Sequence, residues 1–137
     1  MKIPVIDKSN YLKGLLITAR KDKKLAESEK KIIREIAERL GFSSDFYEET
    51  LQNLLRNKYL IEDPIRFSDI IIAESFISDA LKLAFSDNKT PTIEIDWLKK
   101  TAAENGITLK WFEEKIQLCK MTPGNLLVGN FALLSII

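Results

Sequence analysis

Apolar residues recur at helical spacing along most of this chain. Leu12, Leu15, Leu16 and Ala19 fall at i, i+3, i+4 and i+7. Ile32, Ile33, Ile36, Ala37 and Leu40 make a second stripe, which Gly41 ends. Ser43 or Ser44 is placed to cap a third helix carrying Phe46, Leu51, Leu54 and Leu55. A longer segment follows, with Asp63 as its expected N-cap and Pro64 in the first helical position. Its apolar residues, from Ile70 and Ile71 through Phe76, Ile77 and Leu81 to Ala84, cover more than one stripe, so it is expected at the centre of the fold.

Thr90-Pro91 opens the next predicted helix, with Trp97, Leu98 and Ala102, and Asn105-Gly106 closes it. Thr108 is placed to cap another, with Trp111, Phe112 and Ile116 inside. "TPGN" at 122–125 reads as a turn before the apolar segment "LLVGNFALLSII". That segment is too short to span a bilayer as a helix. It is expected to fold back as a last helix, with Leu126, Leu127, Phe131, Leu134 and Ile137 completing the core; the alternative is an exposed apolar patch for a partner.

The two halves match when the chain is shifted by 65 residues without a gap. Ala19 falls on Ala84, Asp22 on Asp87, Lys24 on Lys89, Glu29 on Glu94, Ala37 on Ala102 and Gly41 on Gly106. "FYEETLQ" then meets "WFEEKIQ". The pattern predicts a duplicated three-helix unit. The expected fold is an all-α, compact bundle of about seven helices with pseudo-two-fold symmetry. It forms a single domain over 1–137, with repeat one at 12–55, a central helix at about 64–86, repeat two at 77–119 and an apolar segment at 123–137.

Composition removes several chemistries. The 137 residues suffice for one domain with a proper core. Twenty-one basic and twenty acidic residues leave a net charge of +1, so no global attraction to nucleic acid arises. With no histidine, the commonest general base and any Ser–His or Cys–His pair are missing. No phosphate-binding glycine loop is present, and a non-catalytic role is expected. The single cysteine, Cys119, cannot form an internal disulfide and reads as a buried apolar thiol, which favours a reducing, cytoplasmic setting. No apolar signal-peptide core follows Met1.

Three clusters are candidate sites. Asp22 and Glu29, with their counterparts Asp87 and Glu94, are placed to share a divalent cation. An EF-hand is excluded, because loop positions 3 and 5 are Lys24 and Ala26 in one copy and Lys89 and Pro91 in the other. A structural corner is the favoured reading, with Asp22 closing one helix and Glu29 stabilising the first turn of the next. Arg20, Lys21, Lys23, Lys24, Lys30, Lys31 and Arg34 form a basic stretch that a polyanion would match. It holds no aromatic residue for base stacking and is not repeated in the second half, so solvated helix surface is favoured. The paired acids Glu48, Glu49, Glu113 and Glu114 lie near helix starts, where carboxylates are stabilised without any catalytic role. Trp97, Trp111, Phe76 and Phe112 are core by their spacing.

An alanine-ended helix, an Asp, a polar turn, a Glu seven residues on and an "I-x-x-I-A-x-x-L-G" helix together resemble the TerB-like family of helical domains. That family includes tellurite-resistance TerB and the N-terminal domain of a membrane-anchored DnaJ-like co-chaperone. The likeness is clearest over Leu12–Leu55 and recognisable over Ile77–Cys119. The family pattern places glycine after the Asp and serine before the Glu, where this chain has Lys23 and Ala26, then Asn88 and Pro91. The resemblance implies an all-α domain of bacterial stress response, with proposed metal association. It also implies an interaction role in the cytoplasm or at the inner face of the membrane, with no known enzymatic activity. The expected partner is an unknown protein, membrane-associated in the family's manner, or a second copy in a homodimer.

Overall fold

The computed structural model describes residues 2–20, 27–56, 63–85, 92–121 and 131–137, with only the backbone at Arg20, Ser28, Leu54 and Leu55. Six α-helices form among them: α1 (Val5–Arg20), α2 (Glu27–Arg39), α3 (Ser44–Arg56), α4 (Ile70–Ala84), α5 (Thr92–Glu104) and α6 (Leu109–Met121). A four-residue 3-10 turn, Ala132–Ser135, follows. The bundle is all-helical, with six α-helices where about seven were expected. Of the segment expected as a last helix, the described part, 131–137, carries this 3-10 turn.

Helices α1 and α4 pack on each other at the centre. Helices α2 and α3 flank α1, while α5 and α6 flank α4. The α1–α4 crossing is tight because Gly14 has no side chain: a Cβ there would sit 2.5 Å from Phe76 Cζ. Phe76 is held among Tyr11, Phe67 and Trp97, at ring-centroid distances of 5.5, 5.2 and 6.4 Å. As its greasy circumference predicts, α4 is buried from Ile72 to Ala84 apart from Glu74 and Lys82, although Ile70 and Ile71 at its start are exposed.

Helix ends follow local chemistry. α2 and α5 both stop at a glycine with positive φ, 92° at Gly41 and 77° at Gly106, a region open to glycine at little cost. The next N–H then reaches back, Phe42 to Ala37 O and Ile107 to Ala102 O, each at 3.0 Å. Ser43 Oγ and Thr108 Oγ1 cap the helices that follow, accepting from Phe46 N–H at 3.2 Å and Trp111 N–H at 3.1 Å.

The central helix begins later than Asp63-Pro64 suggests. Asp69 is its N-cap, with a φ of −143°, and accepts from Ile71 N–H at 2.7 Å. Side chains from α1 and from the turn after α5 bind residues 65–68, which lie outside the helix. Asn105 Nδ2 donates to Ile65 O at 2.7 Å, and Phe67 N–H donates to Asn105 Oδ1 at 2.8 Å. Ser68 gives its N–H (3.1 Å) and its hydroxyl to the two oxygens of buried Asp7. With Ile65 O and the N–H groups of Phe67 and Ser68 paired across the fold, those groups are not left for a helical ladder. Asp7 also shows that α1 starts well before Leu12.

Candidate functional site

The sequence-predicted cation pairs are only half visible. Asp22 and Asp87 lie outside the described residues, as do Lys21, Lys23 and Lys24 and the side chain of Arg20. Glu29 and Glu94 occupy the same place, third in α2 and third in α5, and both are buried. Each of these two residues has an interaction partner. Among the described residues no three acidic or cysteine side chains converge on a common point.

Of the basic stretch, Lys30 pairs with Glu27 at 3.3 Å, and Arg34 with Glu48 at 2.7 Å. The Arg34 guanidinium also lies over the Tyr47 ring, 5.5 Å from its centroid. Tyr47 is anchored in turn by its hydroxyl, which donates to Lys30 O at 3.1 Å. Burial raises the Tyr47 pKa, and the nearby Arg34 charge opposes that shift. Two of the three described cations thus neutralise local acids, while Lys31 is exposed. Glu48 serves this ion pair, and Glu49, Glu113 and Glu114 are exposed on separate helix faces.

A polar centre that the apolar pattern concealed lies between α1 and α4. The Tyr11 hydroxyl sits 2.9 Å from Ser75 Oγ and donates to Asp79 Oδ2 at 2.5 Å. Ser75 and Asp79 are four residues apart, one turn on the same face of α4. Asp79 also accepts the N–H groups of Ala132 (2.6 Å, to Oδ1) and Leu133 (3.2 Å, to Oδ2). One carboxylate therefore joins α1, α4 and the 3-10 turn. Burial raises its pKa, while these three hydrogen bonds and the charge of Lys82 pull the other way. Tyr11 is pushed well above the usual phenol range by burial and by the Asp79 charge.

The segment that follows α6 divides at the described boundary. Leu126 and Leu127 lie outside the described residues. Phe131 and Leu133 are buried and Leu134 packs on the core, whereas Ile137 is exposed. Leu133 takes the innermost place because the 3-10 turn rotates side chains differently from an α-helix. Cys119, read from the sequence as a buried thiol, is only half-buried. Burial raises its pKa against the charges of Lys82 and Lys115. Trp111 is likewise half-buried, unlike Trp97, Phe76 and Phe112. Phe46, placed on an inward stripe by spacing, is exposed and stacks on Phe42 at 4.8 Å.

Apolar side chains are exposed chiefly at helix ends. Val5 and Ile6 at the start of α1 are 75% and 68% exposed, and Ile70 and Ile71 at the start of α4 are 48% and 47% exposed. The Asp7–Ser68 contacts put these two starts at the same end of the bundle. No described helix is long and apolar enough to cross a membrane. No family model matches the chain, and comparison with curated proteins and with solved structures finds no match.

Proposed function

We propose that this chain is a non-catalytic, TerB-like helical module that binds another protein in a bacterial stress response of the tellurite-resistance type. The apolar end of the bundle carries this reading. Val5, Ile6, Ile70 and Ile71 are held in solvent at adjoining helix starts although the interior has ample apolar residues to fill it. The fold is read as a duplicated three-helix unit. That reading is supported by α2 and α5, and by α3 and α6, having identical lengths and caps at the 65-residue spacing. The experiment is affinity capture with the wild-type chain beside Ile6→Lys and Ile71→Lys. A partner recovered by the wild type and lost by both variants is the expected result. Recovery of nothing above background at several salt concentrations would count against the module.

A second reading is a divalent-cation domain using Asp22 with Glu29 and Asp87 with Glu94. It is favoured by one observation, that Glu29 and Glu94 are both buried at matching positions. If it holds, a divalent ion raises the melting temperature and Asp22→Ala removes that rise without unfolding the apo chain. Absence of a shift with calcium, magnesium, manganese and zinc would eliminate it.

A further inference from the structure

We propose that residues 131–137 are a displaceable ligand carried in cis, seated in a slot on α4 whose recognition group is Asp79. The slot would accept an apolar peptide of a partner protein that turns in the same 3-10 form, with an aromatic residue and a leucine two positions apart. This deepens the interaction-module reading and rests on it for the existence of a partner.

The contacts divide recognition into two kinds. Phe131 and Leu133 insert side chains into the core, and Ala132 between them is only partly covered. The main chain is read by the carboxylate, which takes the consecutive N–H groups of Ala132 and Leu133, one on each oxygen. Main-chain donors give such a contact its affinity, and the buried side chains on either side of Ala132 give it its specificity. Any segment with the same spacing and two free N–H groups presents the same features.

Asp79 is costly as a purely structural residue. It is 1% exposed in the middle of an apolar helix; its hydrogen-bond partners among the described residues are neutral, the Tyr11 hydroxyl and the two amides, and the charge of Lys82 is the one cationic influence on it there. A well-packed apolar side chain would fill such a place without stranding a charge. The position 65 residues earlier, Gly14, carries no acid, so the paired architecture of α1 and α4 does not require one. The acid is explained by what it holds. The seated segment contributes one 3-10 turn packed chiefly on α4, so its departure leaves every helix–helix contact in place. An element attached in this way opens as its own unit.

Hydrogen exchange on the full chain tests displacement. Amides of 131–137 should exchange well before those of α4 in the wild type. Asp79→Asn and Leu133→Ala should accelerate 131–137 further, while α4 and the helical circular dichroism hold. A labelled peptide of residues 131–137 tests the slot. The Leu133→Ala chain, with its own segment weakened, should bind it roughly tenfold more tightly than the wild type does. N-methylation of the peptide at its second and third residues, or Asp79→Asn in the chain, should abolish that binding. Exchange of 131–137 only together with α4 overturns the proposal, as does binding indifferent to N-methylation. Light scattering that shows dimers forming as the segment leaves overturns it in favour of exchange between two copies. Failure of the peptide with capture of a partner intact removes the slot alone, whereas peptide binding without any captured partner removes the module reading.

Discussion

The Tyr11 hydroxyl donates to Asp79 Oδ2 at 2.5 Å, and through that contact α1, α4 and the 3-10 turn meet at one carboxylate. Removing the hydroxyl with Tyr11→Phe keeps the ring packing on Phe67 and Phe76 but leaves a buried acid short of a donor. Hydrogen bonds to charged groups contribute about 1.5–3 kcal/mol, so a loss of about 2 kcal/mol is expected in urea denaturation. Ser75→Ala should cost less, because Asp79 keeps all its donors.

The same carboxylate sets a pH dependence. Burial raises its folded pKa above the ordinary 3.8. Between that value and the raised one the native state binds more protons than the unfolded state, so this group's contribution to stability falls as pH rises. Above the raised value the loss is complete and constant. Asp79→Asn lacks this slope, so the stability of the variant relative to wild type should increase as pH climbs through the window. Urea midpoints measured from pH 4 to pH 7 give the difference directly, and a difference flat in pH would contradict it.

Gly14→Ala should destabilise even though alanine is the better helix former. The added Cβ would lie 2.5 and 2.6 Å from two atoms of Phe76, whose ring is locked among three other aromatics. Overpacking of this kind costs about 1–3 kcal/mol, which outweighs the roughly 1 kcal/mol of helix propensity regained. Phe76→Leu in the same chain should recover part of the loss, read as thermal midpoints in a double-mutant cycle.

Gly41→Ala and Gly106→Ala should each cost about 1 kcal/mol, the penalty for a side chain in a left-handed conformation. Apart from its own chain neighbours, no described residue comes within 4 Å of either added Cβ, so the cost is one of backbone. Asparagine should be tolerated better than alanine at both positions, again by urea denaturation.

Thr101 is fully buried and its Oγ1 finds no hydrogen-bond partner among the described residues. Thr101→Val replaces the stranded hydroxyl with a methyl group of the same shape and should stabilise the chain by about 1 kcal/mol. A lower melting temperature for this variant would mean that the hydroxyl is bonded in solution.

Local signals read correctly wherever a helix end depended on its own neighbours. Gly41 and Gly106 stop α2 and α5, and Ser43 and Thr108 cap the helices after them, because these effects span only a few residues of chain. Spacing failed where distant groups intervened. Asp63 and Pro64 look like a helix start, but Asp7 and Asn105, far away in the chain, bind residues 65–68 outside any helix. Phe46 sits on an apolar stripe yet is exposed, since periodicity does not say how far the covering helix reaches.

By itself the sequence determined an all-helical chain, the greasy central helix and the terminators of α2 and α5, all consequences of side-chain period and backbone preference. The tertiary structure alone decided that Tyr11, Ser75 and Asp79 form one buried polar centre and that the segment after α6 docks there as a 3-10 turn. Tyr11 and Asp79 are 68 residues apart. An acid in an apolar stretch gives no signal of its partner until packing brings a phenol and two amides to its oxygens, which offset part of the cost of burying it.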